Sequence, residues 1–334
     1  MNYFKFAFWN TDQLRLRTGY RIVIEYLFKY LFSFGLGFIL VSFVPGIKLD
    51  ANIPFSLLTI YGITIRLFPY VFSVWLTGFL FDKRSFADFG FHFSIPWRNY
   101  FLFGLALGSF LMTFIFVVEY SFRWITISST FYSNHPGQSF IVPFLVLTLV
   151  FVCVGVGEEI FSRGYLIKNF AEGFNFKWMK SDNSLILAWI LSSVIFGLLH
   201  INNPDATIIS TVNIVIGGFI FGIGYVVTGE LAIPVGLHIS WNLFQGNVFG
   251  FPVSGLKLPA AIVTIFKTNQ SGPLIWTGGD FGPEAGFIGL TAMILGIFLT
   301  FAWLQFTGRN IKLKTSLAFF TKKESPPFPN EVNY

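Results

Sequence analysis

Eight apolar runs divide this chain, at roughly 22–45, 54–81, 99–119, 139–168, 184–201, 206–228, 231–250 and 284–306. Each is close to or above the ~20 residues that carry an α-helix across a hydrocarbon core. A backbone in lipid must satisfy its own N–H and C=O groups, so runs of this length fold as helices packed side by side. The expected fold class is therefore all-α, a polytopic membrane helix bundle of about eight transmembrane helices. Only 11% of the residues are charged, against roughly a quarter in soluble domains, and the connections are too short for a sizeable soluble domain. One membrane domain is expected, with an N-terminal part over 1–81, a core over 82–306 and a tail over 307–334.

The basic residues set an orientation. With the N-terminus in the cytoplasm, the inner connections and tails carry 15 Lys and Arg against four outside, Lys48, Arg123, Lys257 and Lys267. The positive-inside rule then places both termini in the cytoplasm. The same placement accounts for the net charge of +6, and no nucleic-acid partner is implied. Cys153 is the single cysteine, which excludes an intrachain disulfide and a thiolate metal cluster. The segment 1–21 lacks the apolar core and cleavage site of a signal peptide and reads as interfacial. The apolar piece 260–266 is too short to span and reads as re-entrant or interfacial, and the Pro-rich stretch 325–334 reads as a disordered tail.

Inside the apolar runs, a few ionisable residues stand out, because each costs about 2.5–3.5 kcal/mol at a helix centre unless it pairs, faces a polar cavity or does chemistry. Glu158, Glu159 and Arg163 lie together at the end of the fourth run. Residues four apart share a helix face, so Glu159 pairs with Arg163 while Glu158, about 100° round the axis, points to another neighbour. Gly155 and Gly157 allow a close helix approach one turn before. Phe196 and His200 share a face at the end of the next run, and His238 and Asn242 share one after a kink expected at Pro234. If the three faces converge, a carboxylate, two imidazoles and an amide meet, an inventory able to activate water and stabilise an oxyanion. Singly, a histidine or asparagine in a span serves as often as a helix-to-helix hydrogen bonder. Elsewhere, Glu25 and Lys29 are spaced to pair, Arg66 and Glu119 to snorkel or pair across helices, and His92 and His135 to face solvent. The Gly-rich segment 277–283 lacks the Lys and Ser/Thr of a phosphate-binding loop.

The three motifs, Glu158-Glu159 with Arg163, Phe196 with His200, and His238 with Asn242, occur in the order found in the CPBP family, which groups type II CAAX prenyl proteases with bacteriocin-processing Abi proteins. The chain resembles that family from about Asp82 to the last run, and the stretches 84–91, 249–255 and 277–279 are similar to bacterial members. The resemblance implies an intramembrane glutamic endopeptidase in a bacterial cell membrane, whose polar cavity takes membrane-embedded or lipid-anchored protein or peptide substrates. Under it, Glu158 and His200 polarise the attacking water, His238 and Asn242 donate to the oxyanion, and Glu159, Arg163 and Phe196 orient or support them. No cofactor is implied. The rival readings are a zinc-dependent CAAX-type metalloendopeptidase using Glu158, His200 and His238, and a non-catalytic immunity or scaffold protein or a transporter.

Overall fold

In the computed structural model, which describes residues 7–43, 59–133, 139–256 and 263–320, the apolar runs are helices. Seven are long and apolar enough to cross a membrane: α1 Thr18–Phe43, α2 Thr59–Asp82, α3 Ile95–Ser121, α4 Ile141–Phe174, α5 Ser181–Leu198, α6 Ile208–Thr228 and, last in the chain, α8 Phe287–Phe306. The run expected at 231–250 is shorter. There α7 covers Ala232–Asn242 and continues as a wider π-helical turn, Leu243–Val248.

The molecule is inside out relative to a soluble bundle. Along α1, Leu27, Leu31, Phe34 and Phe38 form an outward stripe 63–75% exposed, a face that suits acyl chains. The polar side chains of the same helix, Glu25 and Lys29, point inward and are buried. At the centre, every residue of α7 is buried. Its closest neighbour is α3, where Gly104 and Gly108 form a small-xxx-small stripe. A Cβ on Gly104 would stand 2.5 Å from the Ile233 carbonyl oxygen, and one on Gly108 2.2 Å from Ser240 Oγ. Only glycine lets the two backbones approach this closely. Pro234 does not kink α7, because the helix begins at Ala232 and proline is tolerated in a first turn, where its missing N–H has no partner to lose.

Connections gather at two ends. At one end β3, Ile125–Ser133, pairs antiparallel with β4, Val263–Gln270, from Ile125 opposite Gln270 to Ser133 opposite Val263, with a bulge between Ile127 and Ser129. The described part of the short apolar piece, Val263–Phe266, is thus strand. Its β-branched Val263, Thr264 and Ile265 fit a pleated surface. Residues 260–262, the tail over 325–334 and His135 lie outside the described residues.

At the other end the N-terminal segment makes a small ladder, β1 Trp9–Asn10 with β2 Arg15–Leu16, and is drawn into the protein. Arg15 pairs with Glu172 at 2.6 Å, Arg21 with Asp82, and Arg84 with Glu172. Tyr165 donates its hydroxyl to Asp82 Oδ2 at 3.2 Å. Three guanidiniums and two carboxylates thus tie the N-terminus, the end of α2 and the end of α4 together.

Candidate active site

The continuous helix α4 carries the first motif where its α-helical part, Ile141–Glu159, gives way to a π-helical stretch, Ile160–Ile167. Such widened turns recur at functional sites because they re-aim the side chains around them. Glu159 points into the protein, is fully buried, and accepts from Arg163 Nη1 at 2.9 Å. Arg163 also donates to the Gly218 carbonyl of α6 at 3.2 Å, and its guanidinium lies 4.2 Å from the centre of the Phe196 ring. The aromatic face carries partial negative charge, so Phe196 steadies the cation on the side its carboxylate leaves open. The Phe196 ring also packs against His200, with centres 4.9 Å apart.

His200 lies just past the end of α5, in the turn that follows Leu198. Its Nδ1 is 2.8 Å from the Phe196 carbonyl oxygen. A carbonyl only accepts, so Nδ1 carries the hydrogen and Nε2 presents its lone pair. That lone pair faces Glu158: Nε2 and Oε2 are 4.0 Å apart, with both side chains 15% exposed. The separation exceeds a direct hydrogen bond and matches the span that one water, about 2.8 Å from each atom, would bridge.

His238 comes from α7, with Nδ1 2.7 Å from Glu159 Oε1. One carboxylate oxygen therefore holds both Arg163 and His238, and fixes the His238 ring with Nε2 directed away from the pair. Asn242 follows one turn later, buried, and its amide has no hydrogen-bond partner among the described residues. All seven positions of the three motifs are thus brought together, with Glu158, His200, Phe196, His238 and Asn242 lining one cavity of about 380 Å³. Among the described residues, no three His, Cys, Asp or Glu side chains come together as a metal site.

Part of the cavity wall comes from helices that carry no motif. Lys29 and Tyr30 of α1 and Arg66 and Tyr70 of α2 line it. Gly157 explains how α2 reaches this depth, since a Cβ there would meet the Arg66 carbonyl oxygen at 2.4 Å. Glu25 and Lys29 do not form the expected ion pair. The Glu25 carboxylate instead accepts from Ser73 Oγ at 2.8 Å, and no carboxylate oxygen lies within 4 Å of the Lys29 ammonium among the described residues. Arg66 faces the cavity, while Glu119 accepts from Gln270 of β4 at 3.2 Å. His92 stays at the surface beside Glu230, at 2.8 Å.

The Gly-rich segment has a structural task that its sequence conceals. It presents Glu284, which accepts from the Ser254 backbone N–H at 2.6 Å, from Ser254 Oγ at 2.8 Å and from Gln245. Burial pushes this carboxyl above the usual carboxylate range, and the hydrogen bonds from Ser254 and Gln245 oppose the shift. Asn203, three residues past His200, donates to the Ser254 carbonyl at 2.8 Å. Ser254, which lines the cavity, is thereby fixed from two sides. The only hint in the sequence is a carboxylate amid glycines and a proline.

Residues 140–244 match the family model described as type II CAAX prenyl endopeptidase Rce1-like. The matched segment contains all three motifs. No curated protein and no solved structure matches the chain.

Proposed function

We propose that this chain, an integral membrane protein of the CPBP family of type II CAAX prenyl proteases, is a glutamic intramembrane endopeptidase. The observation that carries the reading is the 4.0 Å separation of Glu158 Oε2 and His200 Nε2 across a cavity that His238 and Asn242 also face. Glu158, oriented with His200, takes a proton from a water as its oxygen attacks the scissile carbonyl carbon. The carbonyl oxygen becomes an oxyanion, which accepts from the Asn242 amide and from His238. Glu159 fixes the His238 ring through Nδ1, which turns Nε2 toward the oxyanion. The tetrahedral intermediate collapses, the C–N bond breaks, and Glu158 returns its proton to the departing amine.

Substrates under this reading are membrane-embedded or lipid-anchored polypeptides. The reading takes no metal: acid–base and oxyanion roles account for Glu158, His200, His238 and Asn242, and supporting contacts account for Glu159, Arg163 and Phe196. Excess zinc chelator is then without effect on cleavage, whereas loss that zinc alone restores would favour the metalloenzyme. The cytoplasmic placement of both termini is proposed on the bias of basic residues, and agrees with the gathering of the N-terminal segment, the ends of α2 and α4, and residues 307–320 at one end of the bundle. Mass spectrometry of protein termini in membranes holding wild type or Glu158→Ala tests the activity. New termini that appear only with wild type are expected. Identical termini at equal expression would argue against proteolysis.

A further inference from the structure

We propose that Lys29 and Arg66 form a subsite for a carboxylate carried by the substrate, so that the cavity selects peptides with a negative group near the bond to be cut. This rests on the endopeptidase reading for its biological meaning, but the binding it describes does not require turnover.

The Lys29 side chain is 3% exposed, yet its ammonium has no hydrogen-bond or carboxylate partner within 4 Å among the described residues. It sits in a cage of rings, 3.9 Å from the centre of Phe161, 4.2 Å from Tyr26, 5.0 Å from Tyr70 and 5.1 Å from Tyr30. Ring faces favour the charge but leave its N–H donors without acceptors. Glu25, one turn earlier on α1, could have paired with it and instead engages Ser73. Lys29 belongs to the cavity lining, as does Arg66 of α2.

The charges facing the cavity do not balance. Glu159 and Arg163 cancel within their own pair, which leaves Glu158 as the lining carboxylate against Lys29 and Arg66. Neither cation closes on Glu158 within 4 Å. Uncompensated charge in a low-dielectric wall is costly, and an incoming carboxylate relieves it through charge-assisted hydrogen bonds, with the guanidinium able to bind both oxygens. Two sources share this chemistry, a peptide C-terminus and an acidic side chain, and the two are separable by probe.

The test uses the full chain in phosphatidylcholine nanodiscs, with His200→Gln blocking turnover while Glu158 keeps its charge. Three forms of one N-acylated hydrophobic hexapeptide are titrated: the free acid, the C-terminal amide, and the amide with one internal Glu. At least tenfold tighter binding of an acidic form than of the plain amide is expected. Preference for the free acid identifies a terminal carboxylate, and preference for the Glu peptide a side chain. Lys29→Met and Arg66→Gln should each erode the preference, and Lys29→Arg should keep it. Equal binding of all three forms overturns the proposal without recourse to any variant. So does a preference that both variants leave intact, or one that phosphatidylglycerol in the nanodisc abolishes, which would mark a lipid-phosphate site. Acid-selective binding by a protein that cleaves nothing would retain the subsite and remove the endopeptidase reading.

Discussion

Two buried polar clusters sit along α4, and they are built on opposite terms. At the N-terminal end of the bundle, Arg15, Arg21 and Arg84 close on Asp82 and Glu172, with Tyr165 completing the set. Charges meet partners at contact distance. In the cavity, Glu158 stands 4.0 Å from His200, Lys29 meets only rings, and Asn242 has no partner among the described residues. Ionisable groups inside a membrane protein are costly in either place. In the first cluster the cost is offset by pairing, and the result is architecture. In the second, groups are left open around a volume of about 380 Å³, the arrangement on which the proposed uptake of water and a peptide rests.

If this contrast is right, substitutions in the two clusters fail in different ways. The largest expected effect is on chemistry: Glu158→Gln should lower the cleavage rate about 10⁴-fold, the upper end of what a positioned general base contributes, with an unchanged melting temperature in detergent. Glu172→Ala should do the reverse. It leaves arginines buried without their carboxylate, a change of about 3–5 kcal/mol, read as a fall in thermal stability while cleavage per folded molecule stays near wild type.

Asn242→Ala removes one oxyanion donor and should lower kcat about 10²- to 10³-fold with little change in KM. Phe196→Leu removes the ring that contacts both Arg163 and His200, and a desolvated cation–π contact of about 2 kcal/mol sets the scale. A fall of up to about 30-fold in kcat is expected, without loss of fold. The smallest effect belongs to the surface: His92→Gln breaks an exposed pair with Glu230 and should change stability by no more than about 1 kcal/mol.

The same contrast explains what could be read beforehand. The motif residues were legible because helical spacing alone puts Glu159 with Arg163 and sets Glu158 apart, and because charge within an apolar run demands an explanation. Lys29 and Arg66 carried the same signal, but their destination depends on how α1 and α2 pack against α4, which one helix's periodicity does not encode. Spacing also suggested a Glu25–Lys29 pair that the Ser73 hydroxyl diverts. Hydropathy assigns the short α7 a full span because it does not separate a helix sheathed by protein from one sheathed by lipid. The β3–β4 pairing joins segments more than a hundred residues apart, beyond the reach of any local pattern. Glu284 was hidden because its partners, Ser254 and Gln245, meet it only through the fold.

The central claim is that Glu158 and His200 act on one water as a unit. A double-substitution cycle measures this directly, using single-turnover cleavage by wild type, Glu158→Asp, His200→Gln and the combined variant. Residues acting together lose their effect together, so the combined variant should be little slower than the slower single one. Losses that multiply would show two independent contributions and contradict the account.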